Sequence, residues 1–291
     1  MATTNNITTT YVGKDSGAFI SPVLKSGLTL ATPNVTIHNN VNYKSRITTL
    51  LAEGLIQDAT CAFTPGGTIT QDEVWLAVNA LEVNLELCKV DYWNDFIGSD
   101  TGAWGGINNA GFMNYMTAYI GANVGADLET KIWQGVDGAG SFDGFETLFS
   151  TPDIAATPSA STIIADIRAM VAAGNKDLLA YPDLRVYLSS ANYQFLMEAN
   201  NDKGNASPCG ENCLAIDGIQ VAHAPGLSAT AMVLARISNL HFGTWTNSDL
   251  NRLALIDQEP ITGANNVNFV MKFFAGVQVG YRAEVIYSAA A

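Results

Sequence analysis

Of the 291 residues, 48% are hydrophobic and only 14% charged, and the formal net charge is −13. This composition allows a sizeable core, in one large domain or two small ones, and excludes bulk disorder. With no run of five basic residues, the acidic balance also excludes a protein whose task is to grip nucleic acid, because phosphate binding needs clustered Lys and Arg.

The opening MATTNNITTTYVGKDSGAF lacks the basic and apolar regions of a secretory signal, and no apolar run reaches the length of a membrane span. Four cysteines in a chain this long do not form a disulfide framework, so a cytoplasmic setting is expected. Residues 1–33 are rich in Thr, Ser, Asn and Gly, with a small apolar cluster at Phe19, Ile20, Val23 and Leu24. Such a segment cannot bury enough of itself to fold alone, and the cluster favours an arm laid along a neighbour over disorder.

Val35 to His38 reads as a short strand, and Tyr43 to Leu55 carries a weak helical pattern through Ile47, Leu50, Leu51 and Leu55. TPGGTITQDE reads as a turn-rich tip. Leu81, Val83, Leu85 and Leu87 then alternate with polar residues, the pattern of a half-buried strand. Residues 35–90 therefore read as an excursion with two extended limbs, including Trp75, that needs a platform because a lone ribbon is marginal in water.

Ile107 to Gln134 is the strongest periodic stretch. Phe112, Met116, Ile120, Val124, Leu128 and Ile132 recur every four residues, and Met113 and Trp133 widen the stripe. A helix of that length runs roughly 40 Å. Gly121 and Gly125, with Ala118, Ala122 and Ala126, leave a flank that another backbone can approach, and Asp127, Glu129 and Lys131 argue against a membrane span. Gly135 to Gly144 follows as a flexible elbow, whose Asp137, Asp143 and Glu146 lack EF-hand spacing and read more simply as a turn.

Residues 152–215 alternate helix and strand. A helix from Thr162 to Ala173 has Ser159 or Ser161 as its N-cap, a strand follows at Leu184 to Leu188, and a second helix runs from Ser190 through Ala199. After the polar loop NNDKGNASPCGENC, strands are expected from Gly218, at Met232 to Arg236, Arg252 to Ile256, Val267 to Phe274 and Val277 to Tyr287.

No catalytic constellation emerges. HExxH, GxSxG and Walker patterns are missing, and His38, His223 and His241 have no ligand partner at i+4. Cys209-x-x-x-Cys213 with His223 offers three zinc positions without a fourth, a disulfide across the loop, or two free thiols. Cys61 and Cys88 could meet across the two limbs. Asp249 and Asp257 flank a strand as turn residues more naturally than as a catalytic pair. No cofactor is expected.

Taken in order, VNLELCK, the long helix, the glycine elbow with Phe142-Asp143-Gly144-Phe145, LRVYLSS, Asp217 to Ala222, NLHFGTWTNSDLNRLALID and NFVMKFFAGVQVGYRAEVIY resemble the major capsid protein of tailed double-stranded DNA bacteriophages. The resemblance covers about residues 20–287 and rests on the order of motifs that are individually weak. It implies an α+β, Hong Kong 97-type capsid fold. In its terms, 1–33 is the N-terminal arm and 34–90 the E-loop with its return strand. Residues 91–144 are then the peripheral domain with the spine helix at 107–134, 145–235 the axial domain, and 236–291 the return strands of the peripheral domain.

The implied function is a non-enzymatic subunit assembling into the pentamers and hexamers of an icosahedral head around DNA, held without sequence-specific binding. Its location would be the virion, with the host cytoplasm during assembly and no membrane contact. Implied partners are further copies, with scaffolding, portal and decoration proteins. An arm built on Phe19, Ile20, Val23 and Leu24 and an E-loop built on Trp75, Leu81, Val83 and Leu85 would make the contacts. No fused scaffolding extension is visible, and the Lys–Asn cross-link of some family members has no assignable residues here. The competing readings are an encapsulin-like compartment and, from another class, an acidic hydrolase or sugar-binding protein with an unfamiliar site.

Overall fold

The computed structural model describes residues 27–32, 34–41, 43–59, 61, 65–88, 110–202, 215–245 and 254–290. The arm cluster at Phe19, Ile20, Val23 and Leu24, the Cys209–Cys213 pair, Asp249 and the side chain of Phe112 lie outside them.

The N-terminal part begins with a single helical turn, α1 (Leu28–Ala31), and a short strand, β1 (Thr36–His38). Strands β2 (Lys44–Glu53) and β3 (Thr68–Ala77) then pair antiparallel in register from Lys44↔Ala77 to Glu53↔Thr68. The helix expected from Tyr43 to Leu55 is thus a strand. Ile47, Thr48 and Thr49 are β-branched, and Ser45, Ile47 and Thr49 are half-buried while Arg46, Thr48 and Leu50 are exposed. The turn-rich tip is also shorter than expected. It closes at Gly54 and Gly67, both at positive φ, and Thr68 onward is already strand. At Val78 the chain passes directly into β4 (Asn79–Cys88) and exchanges its partner β2 for the body of the molecule.

Helix α2 (Ala110–Gln134) runs for 25 residues. Ile120, Leu128, Ile132 and Trp133 are buried, and Met116 and Val124 pack half-buried against Leu87, Val267 and Phe269. A side chain at Gly121 or Gly125 would meet no atom of the described residues within 4 Å, while the backbone at Gly27 comes up to the Gly125 carbonyl. The elbow after α2 is tied down. Gly144 N–H donates to Gly135 C=O (2.9 Å), as does the Thr147 hydroxyl (2.6 Å), and Asp137 N–H donates to Asp143 (2.8 Å).

Beyond the elbow come α3 (Phe145–Phe149), β5 (Ile154–Ala155), α4 (Ile163–Ala173), β6 (Leu184–Leu188), α5 (Ser190–Asp202), β7 (Ala215–Ile216), β8 (Ile219–His223), β9 (Met232–Arg236), β10 (Leu240–Gly243), β11 (Ala254–Asp257), α6 (Glu259–Thr262), β12 (Asn266–Val279) and β13 (Ile286–Ala289). Neither Ser159 nor Ser161 caps α4 with its side chain; Thr162 holds the cap position and the Ser159 carbonyl accepts from Ile163 N–H. Strand β10 was not anticipated. The break expected between Phe274 and Val277 is also not made: β12 continues through Gly276 for 14 residues.

One sheet has the order β1-β10-β12-β11, with β4 also paired to β12 over ten residues from Asn266↔Cys88 to Ala275↔Asn79. The other has the order β5-β13-β9-β6-β8-β7. The C-terminal segment expected to stay together is therefore divided, β12 entering the first sheet and β13 the second. A shared core joins them around Trp133, which packs tilted on Phe145 and Tyr187, and Phe149 packs on Tyr287. A second cluster, including Ile163, Ile167, Met170, Val186, Leu196 and Val221, seals α4 and α5 onto the second sheet.

Candidate assembly surfaces

The β2–β3 ribbon leaves the body over a saddle of two facing glycines, Gly243 and Gly276, which are register partners in β10 and β12. A Cβ on Gly276 would overlap the Ala77 carbonyl, and one on Gly243 would press into Val78 and Leu76. Only glycine lets the ribbon's foot sit that close. Leu76 is fully buried there, Gln278 donates to the Trp75 carbonyl (2.9 Å), and Asn79 donates to Asp137 and to the Ser141 carbonyl (both 2.9 Å). A fixed foot gives the ribbon a fixed direction.

Among the described residues its outer half has no platform. Leu50 is 70% exposed, Ile69 67% and Ile56 98%, with Leu51 and Leu55 also exposed. The register puts Leu50 and Ile69 on the same face as Arg46 and Trp75, and Leu51 on the opposite face. Clustered apolar side chains on a ribbon whose outer edges are unpaired are the features of a surface that another chain covers.

Of the residues expected to make E-loop contacts, Trp75 alone lies on the ribbon, about half-exposed. Leu81, Val83 and Leu85 lie on β4 against the body. Leu81 is spent in the chain's own core, Val83 packs partly against it, and Leu85 stays exposed. Of the apolar residues that do project, Leu50, Leu51 and Leu55 belong to the expected helical pattern, Ile69 to the expected turn, and Ile56 to neither. The signal that could have found them was the density of β-branched residues on both sides of the Gly54 and Gly66-Gly67 turns.

The carboxylates considered for a cation are otherwise engaged. Asp143 accepts from Asp137 N–H, and Glu146 accepts from Ser228 N–H (2.7 Å) and the Tyr287 hydroxyl (3.4 Å). Asp257 accepts from Glu259 N–H, as a turn aspartate does. Among the described residues no three His, Cys, Asp or Glu side chains converge on a metal position, and no helix is long and apolar enough to cross a membrane. The fold does bring His38 and His241 together, Nε2 to Nδ1 at 2.9 Å. It also sets His223 beside the Ser190 hydroxyl (3.0 Å) with the Tyr193 ring stacked on it.

This arrangement of long helix, ribbon and two sheets recurs in solved structures. Solved structures share it along nearly their whole length: the capsid of the native GTA particle (TM-score 0.63, 15% identity, 96% of this chain and 95% of that one), Mycobacterium phage Ogopogo (0.61, 14%, 94% of each) and the capsid of Myoviridae phage XM1 (0.59, 11%, 97% and 96%). No family model and no curated protein matches the sequence. At such low identity the likeness is one of fold, and the fold is the Hong Kong 97-type capsid fold that the order of motifs implied.

Proposed function

We propose that this chain is a structural major capsid protein, a subunit that assembles with copies of itself into the pentamers and hexamers of an icosahedral phage head around double-stranded DNA. The observation that carries this reading is the ribbon: its foot is locked on a glycine saddle while its apolar outer half has nothing to lie on among the described residues. Support also comes from the solved structures, which are capsids, one pair of them computed with C5 symmetry.

In this reading residues 1–33 are the arm and 34–90 the E-loop with its return strand. The spine and most of β12 belong to the peripheral domain, and about 145–235 with β13 forms the axial domain. The cohesive energy is spread over many moderate contacts, strong together through multivalency. The acidic balance suits a wall that encloses DNA without gripping its sequence. Scaffolding, portal and decoration proteins are the further partners, and the virion is the final location.

Sedimentation of the purified full chain, with negative-stain images of any fast fraction, tests the reading. Shells, tubes or capsomer rings are expected, with or without a co-expressed scaffold. A 31 kDa monomer under every condition, scaffold included, would refute it.

A further inference from the structure

The body holds the root of the N-terminal segment through one ionisable side chain. Glu129 of α2 is buried, 1% exposed. Its Oε2 accepts from Thr29 N–H (3.1 Å) and its Oε1 from the Thr29 hydroxyl (2.5 Å). One helical turn on, Trp133 Nε1 donates to that Thr29 hydroxyl (2.8 Å). A side chain at Gly226 would overlap the Glu129 carbonyl, so this approach requires glycine.

Every one of these donors is neutral. On α2, Asp127 is exposed and Lys131 donates to the Gly140 carbonyl (2.6 Å). On α3, Glu146 is taken up by Ser228 and Tyr287. Neither α1 (LTLA) nor the loop 224–231 (APGLSATA) carries a titratable group. Among the described residues, Glu129 is therefore a buried carboxylate without a counter-charge. α1 itself is four residues with no side-chain cap, and Leu30 is only partly buried; the next anchor along the chain is the Asn34 carbonyl, which accepts from the Tyr187 hydroxyl.

We propose that Glu129 and Thr29 form a latch that holds α1 on the body, and that gain of a proton tightens it. The ionised carboxylate accepts from both Thr29 donors but is buried as a bare charge. The protonated form reverses the bond and donates to the Thr29 hydroxyl, which keeps a lone pair for Trp133; that hydroxyl gives up its own donation to the carboxylate, and no charge is buried. Burial raises the Glu129 pKa against the opposing hydrogen bonds. The latched state then binds more protons than the open one, so the latch loosens as pH rises through that raised value. An arm freed at its root can be redirected to a neighbour; this last consequence alone rests on the capsid reading.

Hydrogen–deuterium exchange of the full chain, corrected for intrinsic rates, tests the latch at residues 28–31, with Val186 to Leu188 as a core reference. Protection of the root should fall by about tenfold or more from pH 4.5 to pH 8. Glu129→Gln, which mimics the neutral acid, should keep protection at both pH values, and Glu129→Ala should lose it at both with the core reference unchanged. Equal protection at both pH values in the parent chain, or loss in Glu129→Gln as in Glu129→Ala, overturns the proposal. The soluble chain suffices, so a working latch on a chain that never assembles refutes the capsid reading alone.

Discussion

His38 and His241 stand 203 positions apart in sequence yet touch across β1 and β10, at the foot of the ribbon. One ring must donate and the other accept, so two charged rings cannot keep the contact. Burial lowers both pKa values, and for His241 burial followed by the neighbouring His38 charge brings it to about 4. Because the fold favours the neutral ring, the unfolded chain binds the extra proton more readily. The pair's stabilisation is full above the ordinary histidine range and is lost as pH falls from about 6.5 towards 4. Thermal melting across that interval should show a loss of roughly 2 kcal/mol, and His241→Gln should flatten it. This acid limb has the opposite sign to the Glu129 latch, so the two are separable in one titration. Gly276 makes a second residue-scale case. Gly276→Ala forces a methyl group into the Ala77 carbonyl, and should cost about 1–3 kcal/mol in urea unfolding and lift the ribbon's foot, raising amide exchange at Leu76.

At the scale of elements, α2 and the ribbon divide stability from assembly. Ile132 is fully buried in the shared core, so Ile132→Ala should cost about 2–5 kcal/mol of unfolding free energy. The ribbon tip contributes little to its own chain. The pair Leu50→Asp and Ile69→Asp changes two well-exposed side chains on one face, and should shift unfolding by no more than about 0.5 kcal/mol while abolishing fast-sedimenting particles. Assembly that survives both changes would show that this face is not covered by a neighbour.

For the whole molecule, folding and assembly draw on different parts of one chain. The two sheets share a core through Trp133, Tyr187 and Tyr287, built from residues of a single chain. The ribbon's outer half reaches beyond it. Deleting residues 1–26, which spares Thr29 and its latch, should leave a folded, soluble subunit with unchanged far-ultraviolet circular dichroism and no closed shells. Intact shells from that deletion would remove the arm from the assembly scheme.

Burial that repeats along the chain is a local property, and it was legible in the sequence. The four-residue stripe from Met116 to Ile132 is the spine, the alternation at Leu81 to Leu87 is β4, and the order of such elements pointed to the fold. What the sequence could not decide depends on partners far away in it. Ile47, Leu50, Leu51 and Leu55 fit a helical period as well as a strand, and ten backbone pairs with β3 settle the matter. Gly276 interrupts a pattern on paper, yet β12 runs through it because Gly243 and Ala77 close over it. β13 follows β12 closely in sequence and still joins the other sheet, against β9 and β5. Glu129 looks like one more polar residue on a helix until Thr29, from 100 positions upstream, arrives to meet it. Pairing and close approach depend on what lies opposite in space, and only the tertiary structure supplies that.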